Sequence, residues 1–175
     1  MKLNLGCGKK KLEGYVNCDL SKEVSPDVVL DLEKPLPFKT NSVDEIVGNH
    51  ILEHISRFIP LLHELHRICK NKSLLNFKVP FYLSVGAFND PTHVRFFTPF
   101  TFKEILSDEF GYEFGTTGMF KEKRVKISYG IGFAKKINWF MDPLINLNHR
   151  LYCKIMAGVL PAAEIEFGLE VIKNS

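Results

Sequence analysis

Apolar residues fall in short blocks along the first half of the chain, and a polar residue, glycine or proline closes each block. Leu3-Asn4-Leu5 runs into Gly6, Val16 to Leu20 carries Asp19 near its end, and Val28-Val29-Leu30 stops at Asp31. Val43 to Val47 leads to Gly48-Asn49-His50, and Leu74 to Val79 ends at Pro80. Short apolar runs bounded by turn formers predict β-strands. Between the fourth and fifth, Phe58, Leu61, Leu62, Leu65, Ile68 and Cys69 recur at three- and four-residue spacing. They form one stripe of an amphipathic helix, with His63, Glu64, His66, Arg67 and Lys70 on the other face. Lys34 to Phe38 is a proline-punctuated loop.

The second half is less regular. Phe81 to Phe97 predicts a long loop, and long loops in compact domains are usually functional or mobile. Thr98-Pro99 predicts the cap and first residue of a helix through Leu106. Tyr112 to Thr116 and Val125 to Phe133 read as strands around a charged turn, Lys121 to Arg124. Asp142-Pro143 predicts another helix start, with Leu144, Leu147, Leu151, Ile155 and Val159 following at helical spacing and Pro161 as the stop. Glu164 to Ile172 alternates apolar Ile165, Phe167, Leu169 and Val171 with Glu164, Glu166, Gly168 and Glu170. That alternation predicts a half-buried strand at or near a sheet edge. Strands interleaved with helices predict an α/β fold with a mostly parallel sheet and helices on both faces.

Sheets of this kind bind ligands beyond the carboxyl ends of their strands, where strand order reverses. Gly6, Asp19, Asp31 and Asn49 all follow predicted strands, so the pattern carries them to one rim. Gly6 and Gly8 let the backbone turn sharply and let a ligand approach its amides; the same pair also suits an ordinary tight turn. Asp19 offers two acceptor oxygens to a ribose diol, or it is a helix cap or surface acid. Asp31 either faces an adenine amino group or opens the Asp31-to-Phe38 turn. A dinucleotide fingerprint needs a third glycine, where this chain has Lys11, and an acid about 20 residues on. Asp19 comes too soon, which disfavours a nicotinamide or flavin dinucleotide.

Composition narrows the picture further. The chain has 175 residues, 45% hydrophobic and 25% charged, which fits one soluble domain spanning 1–175. A net charge of +3 is too mild to argue for nucleic acid, and none is expected as a partner. Cys7, Cys18, Cys69 and Cys153 contain no C-x-x-C pair, so neither a disulfide framework nor a zinc knuckle is expected. No apolar run approaches the roughly 20 residues of a membrane span, and the apolar run after Lys2 is too short for a secretory signal. The expected compartment is the cytoplasm.

Two further stretches invite chemistry. His50-Ile51-Leu52-Glu53-His54 matches the H-x-x-E-H pattern of inverted zinc proteases. That chemistry needs both histidines on one helical face and a third ligand, whereas this segment directly follows a strand, so no metal is expected. Asn89 to Phe97 places Asp90, His93 and Arg95 beside aromatics in a loop. His93 suits a general base and Arg95 an anion holder; equally, the loop caps the site without doing chemistry. Lys121 to Lys136 interleaves cations with Tyr129 and Phe133, ahead of Trp139 and Phe140. A solvated strand pair followed by a packed helix explains it more readily than a membrane or nucleic-acid face.

Taken together, the ordered set resembles class I S-adenosylmethionine-dependent methyltransferases, the methyltransferase-11-like group in particular. The matching pieces are Leu3 to Gly8, Asn17 to Leu20, Asp31 with Leu36-Pro37-Phe38, Ser42 to Val47 with His50 to His54, and Asp90 to His93 with Phe96 to Pro99. The resemblance is dense from Lys2 to about Leu106. It implies a Rossmann-like sheet of seven strands with the last antiparallel, and S-adenosylmethionine as cofactor. Gly6 and Gly8, with the adjoining Leu5 and Cys7, would line its methionine end. Asp19 would bind the ribose, Leu20 and Leu32 would flank the adenine, and Asp31 would sit near its amino group. Asn49 and His50 would face the cofactor. Relative to the family, N-terminal helices are missing, the first connection is short, and about 137–160 forms a helical insertion. Cover for the cofactor is then expected from the Phe81-to-Phe97 loop, that insertion or a second copy in a homodimer. The expected activity is methyl transfer to an O or N atom of a small-molecule, lipid-linked or sugar-linked acceptor, with His93 as base. The alternative is a degenerate cofactor-binding fold that acts by binding a partner.

Overall fold

The computed structural model describes residues 1–173. Its strands are β1 (Lys2–Leu5), β2 (Val16–Asp19), β3 (Val28–Val29), β4 (Val43–Asn49), β5 (Cys69–Pro80), β6 (Phe120–Ser128) and β7 (Glu164–Val171). They form a single seven-stranded sheet in the order β3-β2-β1-β4-β5-β7-β6. β1 to β5 are mutually parallel, and β7 is antiparallel to both of its neighbours. Strand order reverses between β1 and β4, which opens the carboxyl-end crevice where such sheets take ligands.

Register explains which face is buried. Leu3, Ile46, Leu75 and Leu169 stand in one row, and Leu5, Gly48, Phe77 and Phe167 in the next. The seven side chains in these rows are at most 1% exposed. Helix α1 (Phe58–Ile68) lays its predicted stripe into this core, with Phe58, Leu61, Leu62, Leu65 and Ile68 buried. Each large apolar side chain fully buried this way contributes about 1.5–3 kcal/mol. After β5 come α2 (Val85–Phe88), α3 (Thr101–Ile105) and α4 (Gly111–Phe114). Phe102 of α3 packs edge-on against Phe58 and Phe167, at 5.9 and 4.8 Å between centroids.

Helical cover is uneven. The β1–β2 connection has no helix, and the β2–β3 connection has only a 3-10 turn at Lys22–Val24. Asn17 holds the first of these in place. Its side-chain oxygen accepts from the Leu12 amide at 2.8 Å and the Asn4 amide group at 2.9 Å. The second sheet face therefore carries Glu45, Asn49, Asn76, Lys78, Glu166 and Arg124 exposed or half-exposed. Ion pairs knit it, including Lys2–Glu45 at 2.8 Å and Lys78–Glu166 at 2.9 Å. This face is a polar, partly exposed surface.

Three expectations for the second half change. Lys121 to Arg124 lies inside β6, because the register sets its cations against the glutamates of β7; Lys123–Glu170 is 3.5 Å and Arg124–Glu166 is 3.4 Å. Tyr112 to Thr116 is not a strand. It contributes to the helical turn Gly111–Phe114, ended by Gly115 at φ 65°. Asp142 is not a cap, because helix α5 runs Asn138–Asn146 with Pro143 inside it, and the helix expected to continue to Val159 breaks there: Asn148 is extended and caps a separate turn at His149–Leu151, followed by a π-helical turn at Tyr152–Met156.

Asn138, Asp142 and Asn146 are spaced by four and face the free edge of β6. Asn146 accepts from the Ile127 amide at 2.8 Å and donates to its carbonyl at 2.7 Å. Asp142 accepts from Tyr129 N at 2.8 Å, and Asn138 bonds both backbone groups of Gly130. One helix face thus takes the place of a neighbouring strand and protects the edge. β7 accordingly lies one strand in from the edge. Asn146→Ala removes two of these bonds and is expected to cost about 1–3 kcal/mol. Faster hydrogen exchange at the Ile127 amide, with the β1 amides unchanged, is the check.

Candidate functional site

The crevice is built from the ends of β1, β2 and the segment after β3. Gly6 leaves β1 at φ 62° and Gly8 follows at φ 48°, both in the left-handed region that favours glycine. The Cys7 amide donates to the Cys18 carbonyl at 3.0 Å, locking this turn to β2. Cys7 and Leu5 are themselves buried. Asp19 closes β2, and two amides aim its carboxylate: Gly8 N at 2.8 Å on one oxygen and Ser21 N at 2.9 Å on the other. Each oxygen keeps a second lone pair for a ligand hydroxyl.

Gly6, Asp19, Leu20, Asp31 and Leu32 line one cavity of about 160 Å³, with Ile51 and His54 among its other walls. Five of the expected cofactor residues therefore meet in one place. The volume falls below the roughly 300–1,000 Å³ of whole ligand sites, so it suits the nucleoside end of a larger molecule. Asp31 accepts from the Glu33 amide at 2.9 Å and faces Lys34 at 3.3 Å. The Glu33 bond, and then Lys34, hold its carboxyl below the ordinary carboxylate range.

Asn49 and His50 go elsewhere. Asn49 lines a groove on the open sheet face with Leu12, Val47, Asn76 and Lys78. His50 adopts φ 53°. Its Nε2 meets Glu164 Oε1 at 2.7 Å, and its Nδ1 meets Glu53 Oε1 at 3.2 Å. The bonds to Glu164 and then Glu53 raise its pKa to about 9. The folded value exceeds the ordinary one near 6.5. The stabilisation is therefore complete below about pH 6.5 and lost as pH rises through about 9. The nominal shift is worth about 3 kcal/mol. His50 is 40% exposed, and solvent screening reduces this to about 1 kcal/mol. Urea denaturation at pH 6 and 9.5 should show that loss in the parent and not in His50→Gln.

Sequence reasoning missed two acids. Glu53, on a 3-10 turn at Leu52–His54, is 1% exposed. Its backbone carbonyl accepts from the Val94 and Arg95 amides at 2.9 and 3.2 Å, which straps the Phe81-to-Phe97 loop to the crevice. Glu33 accepts from the amides of Ser56 and Arg57 at 2.6 and 2.9 Å, satisfying donors at the start of α1. Arg95 serves the same strap. It donates to the Ile55 and Ser56 carbonyls and lies over the Phe58 ring, 5.0 Å from its centroid. The His93 side chain is 7% exposed, with Nδ1 donating to the Ala87 carbonyl at 3.0 Å and Nε2 4.0 Å from Glu53.

Residues 3–77 match the family model described as a methyltransferase domain, the Methyltransf_11 family. The match covers the strands that build the cavity. That match spans less than half of the chain; over the whole chain the likeness is one of fold, shared with solved methyltransferases. Solved structures with the same fold include a SAM-dependent methyltransferase from Archaeoglobus fulgidus, with TM-score 0.66, 18% identity, and 97% of this chain and 85% of that one covered. YcgJ from Bacillus subtilis gives 0.61, 14%, 99% and 92%. An S-adenosylmethionine-dependent methyltransferase from Mesorhizobium loti gives 0.58, 12%, 97% and 89%. Among curated proteins, none matches the chain in sequence. No helix among the described residues is long and apolar enough to cross a membrane.

Proposed function

We propose that this protein binds S-adenosylmethionine in the crevice beyond the carboxyl ends of β1, β2 and β4 and transfers its methyl group to an O or N atom of an acceptor. The carrying observation is the meeting of Gly6, Asp19, Leu20, Asp31 and Leu32 in one cavity where strand order reverses. Asp19 takes the ribose hydroxyls, Leu20 and Leu32 flank the adenine, and Asp31 orients its amino group. The Gly6-to-Gly8 turn, with Leu5 and Cys7 behind it, meets the methionine end. Asn49 lies on the open sheet face away from this cavity, and His50 reaches the site only by holding Glu53.

The bound sulfonium supplies an already activated methyl group. The task of the chain is to align the acceptor lone pair with the S–CH3 bond and to exclude water. An acceptor hydroxyl must also lose its proton. His93 and its neighbours Glu53 and His54 are the groups for that, since His54 lines the cavity and the three cluster tightly. The chain works as one domain with 137–160 as a helical insertion. It works in the cytoplasm, a setting consistent with four free cysteines. The acceptor is a small molecule or a lipid- or sugar-linked one.

Calorimetry with S-adenosylmethionine and its demethylated product tests the reading. One saturable site per chain is expected, competed by the product. No binding of either overturns it. Binding without transfer to any acceptor class would favour the partner-binding alternative.

A further inference from the structure

The cluster proposed above to take the acceptor proton also has the donor set of a metal site. Glu53, His54 and His93 each offer a ligand atom, all within 4.8 Å of one another. Glu53 is buried; His50 holds one of its oxygens, and the other, Oε2, has no partner. A buried anionic oxygen without a partner is costly unless something cationic meets it. Both imidazoles are fixed in the tautomer that ligation needs. His93 donates Nδ1–H to the Ala87 carbonyl at 3.0 Å. His54 donates Nδ1–H to Thr92 Oγ1 at 2.9 Å, and Thr92 donates onward to Asp90 at 2.6 Å. Each ring is therefore left with an Nε2 lone pair. Outer partners of this kind orient metal-bound histidines.

We propose that Glu53, His54 and His93 bind a first-row divalent metal ion of the Zn2+ class, next to the cofactor cavity. Two imidazoles and one carboxylate leave an open coordination position, the arrangement of a reactive rather than a structural site. The H-x-x-E-H spacing does not describe it. His50 is occupied by Glu53 and Glu164, and the second histidine comes from the strapped loop. Donors around such an ion lie about 3.4 Å apart for bonds of about 2.0–2.1 Å, so loading draws the cluster inward by about 1 Å. His54 belongs both to this site and to the cavity wall, so an acceptor hydroxyl bound at the open position would lose its proton more readily.

The test uses the purified, chelator-treated chain and Co2+ or Zn2+ alone, without cofactor. One ion per chain is expected, with Co2+ giving visible d–d absorption and Zn2+ moving the imidazole nitrogen NMR signals of two histidines. Glu53→Gln and His93→Gln should lower affinity at least about a hundredfold, and His63→Gln, on the outer face of α1, should leave it unchanged. The parent chain decides the matter even where a variant misfolds. No stoichiometric binding by the parent overturns the proposal, and so does binding lost in His63→Gln. Metal binding and cofactor binding are read separately, so failure of one does not imply failure of the other.

A second surface stands on independent observations. Leu144, Leu147, Leu151, Ile155 and Val159, spread over α5, the break after it and the short helical turns that follow, are 46%, 81%, 55%, 66% and 80% exposed. Phe133 and Trp139, earlier in the same segment, are 84% and 80% exposed. The interspersed charges are Lys135, Lys136, Arg150 and Lys154, and the single acid between Ile131 and Ala163, Asp142, is buried and faces Lys126 at 3.4 Å. An apolar, aromatic face fringed only by cations complements an anionic lipid surface.

The geometry points to peripheral docking of this helical segment on anionic membranes. Co-sedimentation with phosphatidylcholine vesicles, with and without phosphatidylglycerol, should show binding that needs the anionic lipid and weakens with salt. Leu147→Glu with Ile155→Glu should lower it at least about tenfold while Co2+ binding persists. No binding to the anionic vesicles overturns the assignment. A concentration-dependent dimer abolished by the same pair in ultracentrifugation overturns it too, because a second copy would then be the occupant.

Discussion

Asp19→Ala is expected to weaken S-adenosylmethionine binding at least about a hundredfold while leaving the sheet folded. A hydrogen bond to a charged group contributes about 1.5–3 kcal/mol, and a ribose diol makes two to this carboxylate. A hundredfold loss corresponds to about 2.7 kcal/mol, the low end of that sum. The substitution also frees the Gly8 and Ser21 amides that Asp19 now holds at 2.8 and 2.9 Å, which loosens the turn at the methionine end. Asp19→Asn should fall between parent and alanine variant. Its amide nitrogen has to face one of those two N–H donors, so at least one bond is replaced by a donor–donor contact. Calorimetry on both variants, with circular dichroism to confirm folding, gives the ordering. An alanine variant that binds as tightly as the parent would remove Asp19 from the ribose site.

The parts of this site legible from sequence are those fixed by local pattern. A short apolar run closed by glycine or an acid specifies both a strand and its end, so Gly6, Asp19 and Asp31 could be placed on one rim. The stripe of α1 was legible for the same reason. Asn49 also follows a strand, yet it points to the open face, because the last residues of β4 alternate sides and no pattern marks which side carries the cavity. Glu53 was hidden inside the H-x-x-E-H match. Its burial follows from the strap formed by Val94 and Arg95, a contact between segments some 40 positions apart. The polar side chains of α5 were hidden in another way. Asn138, Asp142 and Asn146 look like solvated positions or caps until the free edge of β6 is known. Lys121 to Arg124 looked like a turn because its partners, the glutamates of β7, come some 45 positions later.

The ion pairing of His50 links sheet and site. Glu164 begins β7 and Glu53 lies in the cluster behind the cavity, so one imidazolium joins the antiparallel strand to the reactive side. Deprotonation of His50 would leave Glu53 with one fewer donor.

Gly6→Ala is expected to be the most damaging small substitution in the crevice, costing about 2–5 kcal/mol. Two separate penalties meet there. The backbone sits at φ 62°, where a side chain costs about 1–2 kcal/mol. A Cβ would also lie 2.6 Å from Ile51 Cδ1 and 2.9 Å from Ile51 Cβ. The second contact cannot be escaped by a rotamer change, because Cβ moves only with the backbone, and overpacking of this kind costs about 1–3 kcal/mol. Gly8→Ala isolates the first penalty, since φ is 48° and nothing lies within 4 Å of the added carbon. For a chain of this size each 1 kcal/mol lowers Tm by about 2–4 °C, so the two variants should separate clearly in thermal unfolding. Ile51→Ala added to Gly6→Ala should restore the steric part and leave the backbone part. Ile51 is a wall of the cavity, so the single Gly6 variant should also lose cofactor affinity out of proportion to its stability. If Gly6→Ala proves as stable as Gly8→Ala, Ile51 does not hold the position described for it, and the cavity wall has to be redrawn.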